Sequence, residues 1–380
     1  MSASPGSPTA SLAEKAGIAS DVPTSAALST VRLAEAMCRE PAGAESGTDW
    51  SRWSSAALER AVLVAVYHQL APWWFHVCTE AGVTARLSPS SRERLSDLAT
   101  RNREQQAARL CHLAEIDAQF RAAGIGYALL KEYAFDGTYP SPACVQQGDL
   151  DLLVREEERP AACQRLEHLG YQRVPRPWNN EYRYKRGDGA CVDLQSSLQP
   201  ALGRWADVGL APADQLNRTR ERRMGGLPVP VLDPCDSATF LIAHASLHHN
   251  YAPFSKVVHS WNSLVHQRHE LTDERLRAVF RAARLENLYD CATWYCETLV
   301  GKPWPLATGR TRELPSRLAT FRQLMPTPDD YLADGRAAKL ARRWQDGWQL
   351  TCYPDTFGRR WTCLAHLLLA RGRRFLSGRK

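Results

Sequence analysis

The spacing of apolar positions changes along this chain, and the changes divide it into three stretches. Up to Gly124 the period is helical, with Leu95, Leu98, Leu110, Leu113, Ile116 and Phe120 recurring on one stripe. Helices are predicted over 29–39, 54–81 and 90–123, the last opened by the capping-box pair Ser90 and Glu93 and closed at Gly124. The period then shortens to that of strands. Ile125–Leu130, Asp149–Val154, Glu181–Arg186, Ala190–Leu194 and Leu227–Val231 read as strands, with a helix over Glu157–Leu169 that ends at Gly170. Gly187-Asp188-Gly189 is the turn of a hairpin. Asp233-Pro234 supplies an N-cap and a first-turn proline for a helix through His248, and the remainder to Lys380 reads as helices broken at proline and glycine joints. The predicted class is α+β, a small mixed sheet between two helical regions. The expected organisation is a tail at 1–28, helices over 29–123, an α/β core over 124–232 and a helical region over 233–380.

Composition adjusts this picture only at its margins. A chain of 380 residues, 44% of them hydrophobic, buries a substantial core, so wholesale disorder is excluded. The Ser-, Ala-, Gly-, Pro- and Thr-rich stretch from Met1 to about Ala27 is the exception and is expected to be a disordered tail. A net charge of +7 fits a phosphate-bearing partner and equally suits a moderately basic enzyme. No apolar run reaches the length of a membrane span, and the N-terminus has no basic-then-apolar leader, so a cytoplasmic protein is expected. Eleven cysteines without a CxxC pair are expected to be reduced, mostly buried thiols. Neither GxGxxG nor a Walker sequence occurs, which argues against dinucleotide and P-loop chemistry.

Candidate chemistry concentrates in Gly148-Asp149-Leu150-Asp151-Leu152-Leu153-Val154. Strands ordinarily exclude Asp, because a short charged side chain neither packs on the pleat nor tolerates burial. Here two occur at i and i+2, so Asp149 and Asp151 share one face, their Cα atoms about 6.6 Å apart, while Leu150, Leu152 and Val154 take the other. Carboxylates so close repel, and a divalent cation removes that cost. A hard ion such as Mg²⁺ or Mn²⁺, which takes oxygen ligands and binds together with phosphates, fits the pair. The alternative is a strand end with two acids entering solvent. Two further pieces favour the metal: Lys131, closing Leu129-Leu130-Lys131 after the first strand, and Asp193 within Val192-Asp193-Leu194. Metal-assisted phosphoryl transfer needs carboxylates to hold the ion and a point cation for the phosphates.

In these motifs the chain resembles the uncharacterised bacterial nucleotidyltransferases of the DNA polymerase β-like superfamily. The resemblance runs from about Trp50 to about Leu264. It includes Tyr139-Pro140, the Leu169-Gly170-Tyr171 helix end and the Leu241-Ile242-Ala243-His244-Ala245-Ser246-Leu247-His248 segment. It implies a nucleotidyltransferase core that moves a nucleoside monophosphate from an NTP, ATP by default, to an acceptor hydroxyl with release of pyrophosphate. The acceptor it leaves open is a small molecule, a peptide, a protein or RNA. Asp149, Asp151 and Asp193 would be metal ligands and catalytic carboxylates, and Lys131 would lie near the triphosphate. Three departures stand out: Glu132 where a glycine is usual, Val145 and its neighbours where an arginine is common, and Gln195 where a histidine is common. They keep open a catalytically degenerate nucleotide-binding scaffold on the same fold, while the arginine-rich helices keep open an RNA-binding module or an RNA-modifying, toxin-like transferase.

Other residues are read against simpler roles. His244 and His248 are spaced as a helical metal pair. No Glu completes an HExxH motif, and packing between the helical part and the core is the simpler account, with contact to the substrate or support of a carboxylate as the intermediate one. Tyr182 and Tyr184 share a strand face and are expected near the site, where they would stack a base, with a structural packing role as the simpler account. Trp73-Trp74-Phe75 reads as core. Arg92, Arg94, Arg101, Arg103 and Arg109 read as a solvated helical face, with nucleic-acid contact as the alternative, and the basic stretch Arg359–Lys380 reads as a docked terminal helix with a solvated tip, with RNA or an anionic membrane as the alternatives.

Overall fold

The computed structural model describes residues 48–131, 137–146, 148–175, 182–196, 212–248 and 254–307, with 33 and 36–38 before them. The predicted tail, Glu132, Trp178, His249 and the basic C-terminal stretch lie outside the described residues.

The N-terminal helices are α1 (Ser55–Tyr67), α2 (Ala71–Glu80) and the long α3 (Pro89–Ala122). The single helix expected over 54–81 is therefore two. Gln69 between them adopts a left-handed φ of 61°, and Pro72 sits in the first turn of α2, where a missing N–H costs nothing. Helix α3 is capped by Ser88 rather than Ser90. The Ser88 hydroxyl accepts from the Ser91 amide at 3.2 Å, and Pro89 takes the first helical position.

The sheet has seven strands: β1 (Tyr127–Leu129), β2 (Leu150–Val154), β3 (Gln172–Val174), β4 (Tyr182–Lys185), β5 (Cys191–Gln195), β6 (Arg220–Met224) and β7 (Leu227–Val231). Their order is β3-β4-β5-β2-β1-β7-β6. Strand β2 runs antiparallel to β1 and parallel to β5, with Asp151 opposite Asp193. The hairpin at Gly187–Gly189 joins β4 to β5 and sets Arg183 opposite Asp193. Helix α4 (Arg159–His168) follows β2, and the short α5 (Pro212–Leu216) precedes β6. After the sheet come α6 (Pro234–Ala243), a π-helical turn over His244–His248, α7 (Ser255–Gln267), α8 (Asp273–Ala282) and α9 (Glu286–Val300). The α-helix expected through His248 thus changes register at Ala243.

Alternation divides the sheet into two faces. One presents Leu129, Leu150, Leu152, Val154, Val192 and Leu194 to Leu113, Ile116 and Phe120 of α3 and to Ala162 and Leu166 of α4. Across the sheet, Ala128, Leu130 and Leu153 join a second core. That core contains Leu58, Trp73 and Trp74 from the N-terminal helices and Phe240, Leu264 and Leu288 from the C-terminal ones. The helical regions before and after the sheet therefore share one core. Among the described residues no helix is long and apolar enough to cross a membrane.

Candidate active site

Five strand-borne or strand-flanking residues converge on the face opposite α3 and α4. Because β1 and β2 are antiparallel, the end of β1 meets the start of β2, and Lys131 meets Asp149 and Asp151. The Lys131 ammonium lies 2.6 Å from Asp151 Oδ1 and 3.7 Å from Asp149 Oδ1. Lys131 adopts φ 61°, a left-handed conformation that costs a non-glycine residue energy and is typical of functional sites. Asp149 stands one residue before β2 rather than inside it. The parallel pairing of β2 with β5 then brings Asp193 beside Asp151.

The residue that ties the cluster together was not singled out from the sequence. Arg183 of β4 lies opposite Asp193, and its Nη2 stands 2.6 Å from Asp149 Oδ2 and 2.6 Å from Asp193 Oδ2. Its Nε donates to Asp193 Oδ1 at 2.6 Å. Gln195, at the position where a histidine was expected, donates from Nε2 to Asp151 Oδ1 at 3.2 Å. Asp151 and Asp193 are almost fully buried, whereas Asp149 and Arg183 keep 21% of their side-chain surface exposed, so the cluster opens to solvent on their side.

Electrostatics separate the carboxyls. Burial pushes Asp149 up, but Lys131, Arg183 and Lys256, together with its contact to Asp193, outweigh burial and hold it down at about 2. Asp151 is deeper, and burial raises it well above the usual carboxylate range. Asp149 and Asp193 push it the same way, against the pull of Lys131. Burial also raises the Cys191 thiol, to about 11. Lys256 comes from the first turn of α7, so the C-terminal helical region contributes to the field of the site.

Asp149, Cys191 and Asp193 place their ligand atoms within 4.8 Å of one another, the one such group among the described residues. Two carboxylates from neighbouring segments, with a third adjacent, are the donor set a hard divalent ion takes, so the residues fit Mg²⁺ or Mn²⁺. The Cys191 thiol adds a softer corner, which no Cys or His spacing along the chain signals. Arg183, though not singled out, is paired with Asp193 by a register that the hairpin turn encodes. Counting back from the Gly187–Gly189 turn pairs them directly, because Arg186 already bonds Ala190.

The tyrosines lie elsewhere. Tyr182 and Tyr184 flank Arg183 on β4, and since Arg183 takes the carboxylate face, both tyrosines point to the opposite one. Tyr184 is buried there, and the Tyr182 ring lies under the guanidinium groups of Arg173 at 4.0 Å and Arg159 at 4.6 Å. The expectation that they flank the site is corrected by this alternation. His244 is buried and stacks on Phe240 at 5.3 Å, while the side chain of His248 lies outside the described residues. His259 shares a buried hydrogen bond of 2.6 Å with the Tyr139 hydroxyl. Trp73 and Trp74 are core residues, as expected. Val145 is buried, with its carbonyl accepting from Asn102, so the loop before Asp149 carries no cation at that position.

Comparison with known proteins places these observations. A sequence model of the family described as "Uncharacterised nucleotidyltransferase" matches residues 54–301, which span the N-terminal helices, the sheet and the helices after it. No curated protein matches the chain. Among solved structures, the antibiotic-resistance factor ANT(2'')-Ia aligns over 47% of this chain and 91% of its own, at 16% identity and a TM-score of 0.34. An antigenic nucleotidyltransferase-like protein from Paracoccidioides brasiliensis aligns over 50% of this chain and 92% of its own, at 13% identity and a TM-score of 0.29.

Proposed function

This chain belongs to the uncharacterised nucleotidyltransferase family, and from that premise we propose that it is a Mg²⁺-dependent enzyme. It transfers a nucleoside monophosphate from an NTP to a hydroxyl-bearing acceptor. The observation that carries the reading is the convergence of Asp149, Asp151 and Asp193 with Lys131 and Arg183 on one sheet face. Three carboxyl groups face three cations, counting Lys256, so a metal–triphosphate complex enters a site already supplied with both signs.

Asp149, on the solvent side, and the buried Asp193 would hold the metal, with Asp151 beside them. When bound, the ion supplies Lewis acidity at the phosphate oxygens and offsets the charge that develops there. Lys131 and Arg183 neutralise the triphosphate and hold it in line. The acceptor oxygen forms a bond to the α-phosphorus as the bond from that phosphorus to the bridging oxygen breaks. Pyrophosphate leaves, and a carboxylate of the cluster takes the hydroxyl proton. Gln195 keeps Asp151 oriented through its amide. ATP is the default donor, and a small molecule, peptide, protein or RNA remains the acceptor class.

The test is incubation of the full chain with each labelled NTP, Mg²⁺ or Mn²⁺ and fractionated cell extract. Mass spectrometry then looks for an added nucleoside monophosphate, alongside an assay for pyrophosphate. Transfer by the natural chain that is lost in Asp149→Asn supports the reading. Metal-dependent NTP binding without pyrophosphate release on any fraction favours the degenerate scaffold instead.

A further inference from the structure

Arg183 stands where a shared metal ion would stand. One of its nitrogens, Nη2, is 2.6 Å from an oxygen of Asp149 and 2.6 Å from an oxygen of Asp193, and Nε holds the second oxygen of Asp193 at 2.6 Å. The guanidinium thus bridges the two acids on the solvent side of the cluster. A divalent ion liganded by both carboxylates takes the same oxygens at a shorter distance, and two cations do not share them.

We infer that Arg183 is an exchangeable cation, bridging Asp149 and Asp193 until metal and nucleotide bind together and then moving to the triphosphate, so that the two ligands bind cooperatively. The inference rests on the nucleotidyl-transfer reading of the site. Three features carry it. Arg183 reaches the cluster from the open side, with 21% of its side chain exposed, so a route outward exists. Lys131 is only 12% exposed, sits on the deeper Asp151, and is positioned to stay. A planar guanidinium, which keeps its charge, matches phosphate oxygens as well as it matches carboxylates. Without nucleotide, a metal that displaces Arg183 leaves a cation in a partly buried place with no partner, which opposes metal binding. With a triphosphate present, the displaced fork has acceptors. Cooperativity of this kind is reciprocal, so metal strengthens nucleotide binding by the factor that nucleotide strengthens metal binding.

The experiment is Mn²⁺ titration of the full chain, following free Mn²⁺ by electron paramagnetic resonance, with and without a non-hydrolysable ATP analogue. In the natural chain the analogue is expected to strengthen Mn²⁺ binding by about tenfold or more. Arg183→Gln is expected to bind Mn²⁺ about tenfold more tightly without the analogue and to lose most of the gain that the analogue confers. Arg183→Lys keeps the charge but cannot bridge with two nitrogens, and is expected to show reduced coupling. Circular dichroism checks that each variant is folded, and if Arg183→Gln is not, Arg183→Lys decides alone. Unchanged Mn²⁺ affinity and unchanged coupling in the folded variants, where Asp149→Asn abolishes Mn²⁺ binding, overturn the role of Arg183 and leave the transferase reading intact. Absence of saturable Mn²⁺ binding by the natural chain, with or without the analogue, overturns both.

Discussion

Asp149→Asn or Asp193→Asn removes one of the two acids that Arg183 grips, and with it half of the pair proposed to hold the metal. Each variant is expected to reduce nucleoside monophosphate transfer to background while its far-ultraviolet circular dichroism stays that of the natural chain. Gln195 offers a different test, because it touches Asp151 rather than the open side of the site. Gln195→Leu withdraws a hydrogen bond from a buried carboxyl and is expected to cost about 1–3 kcal/mol of stability, read as a lower urea midpoint. The two acids of the Asp149/Asp151 pair were legible because Asp inside an apolar run conflicts with strand propensity, and such conflicts mark sites. Arg183 was harder to see for a physical reason. It lies between two aromatic residues that favour strands for packing, and attention to Tyr182 and Tyr184 selected the wrong face of β4. A single step of alternation separates the two readings.

Elements with strong local punctuation agree between sequence and structure. The β4–β5 hairpin follows from Gly187 and Gly189, the latter at φ 90°, and β7 spans Leu227–Val231 as its apolar alternation predicts. Helix α6 begins at the predicted cap, where the Asp233 carboxylate accepts from the Cys235 amide at 2.8 Å and also pairs with Arg220 and Arg275. Asp233→Ala is expected to cost about 1–2 kcal/mol through the lost cap, measured by thermal or urea unfolding. Two strands escaped detection because neither alternates. Strand β6 is Arg-Glu-Arg-Arg-Met at an edge of the sheet, and its strand state comes from pairing with β7 across Gly225 and Gly226. Strand β3, at the other edge, has no buried residue and is defined by its ladder with β4. Edge strands take their structure from a neighbour, which a window along one segment does not contain. Conversely, Leu152 is wholly buried in the central β2, and Leu152→Ala is expected to destabilise the protein by about 2–5 kcal/mol in the same unfolding measurements.

At the scale of the whole molecule, residues far apart in sequence build one core around the site-bearing face of the sheet. His68, fully buried between α1 and α2, accepts at Nδ1 from the Phe254 amide at 3.0 Å and so joins the N-terminal helices to the segment that opens α7. Burial lowers its pKa to about 3, so the native state holds it neutral. Between about 6.5 and about 3 the unfolded chain binds a proton that the native chain does not, and stability therefore rises with pH across that window. From this group alone the loss on going from pH 7 to pH 5 is about 2 kcal/mol. A His68→Gln variant is expected to show a flatter dependence of its urea midpoint on pH over that range, and an unchanged slope would contradict the assignment. The same core carries Lys256 to the edge of the carboxylate cluster, which makes the C-terminal helices part of the site's electrostatics. Whether this cluster binds the metal–triphosphate complex is decided by a crystal structure of the protein with Mn²⁺ and a non-hydrolysable NTP, using anomalous scattering to locate the ion. The expected result is an anomalous peak between Asp149 and Asp193, bonded to triphosphate oxygens, with Arg183 moved off the carboxylates. Mn²⁺ and triphosphate bound at another place, with Arg183 still bridging Asp149 and Asp193, would contradict it.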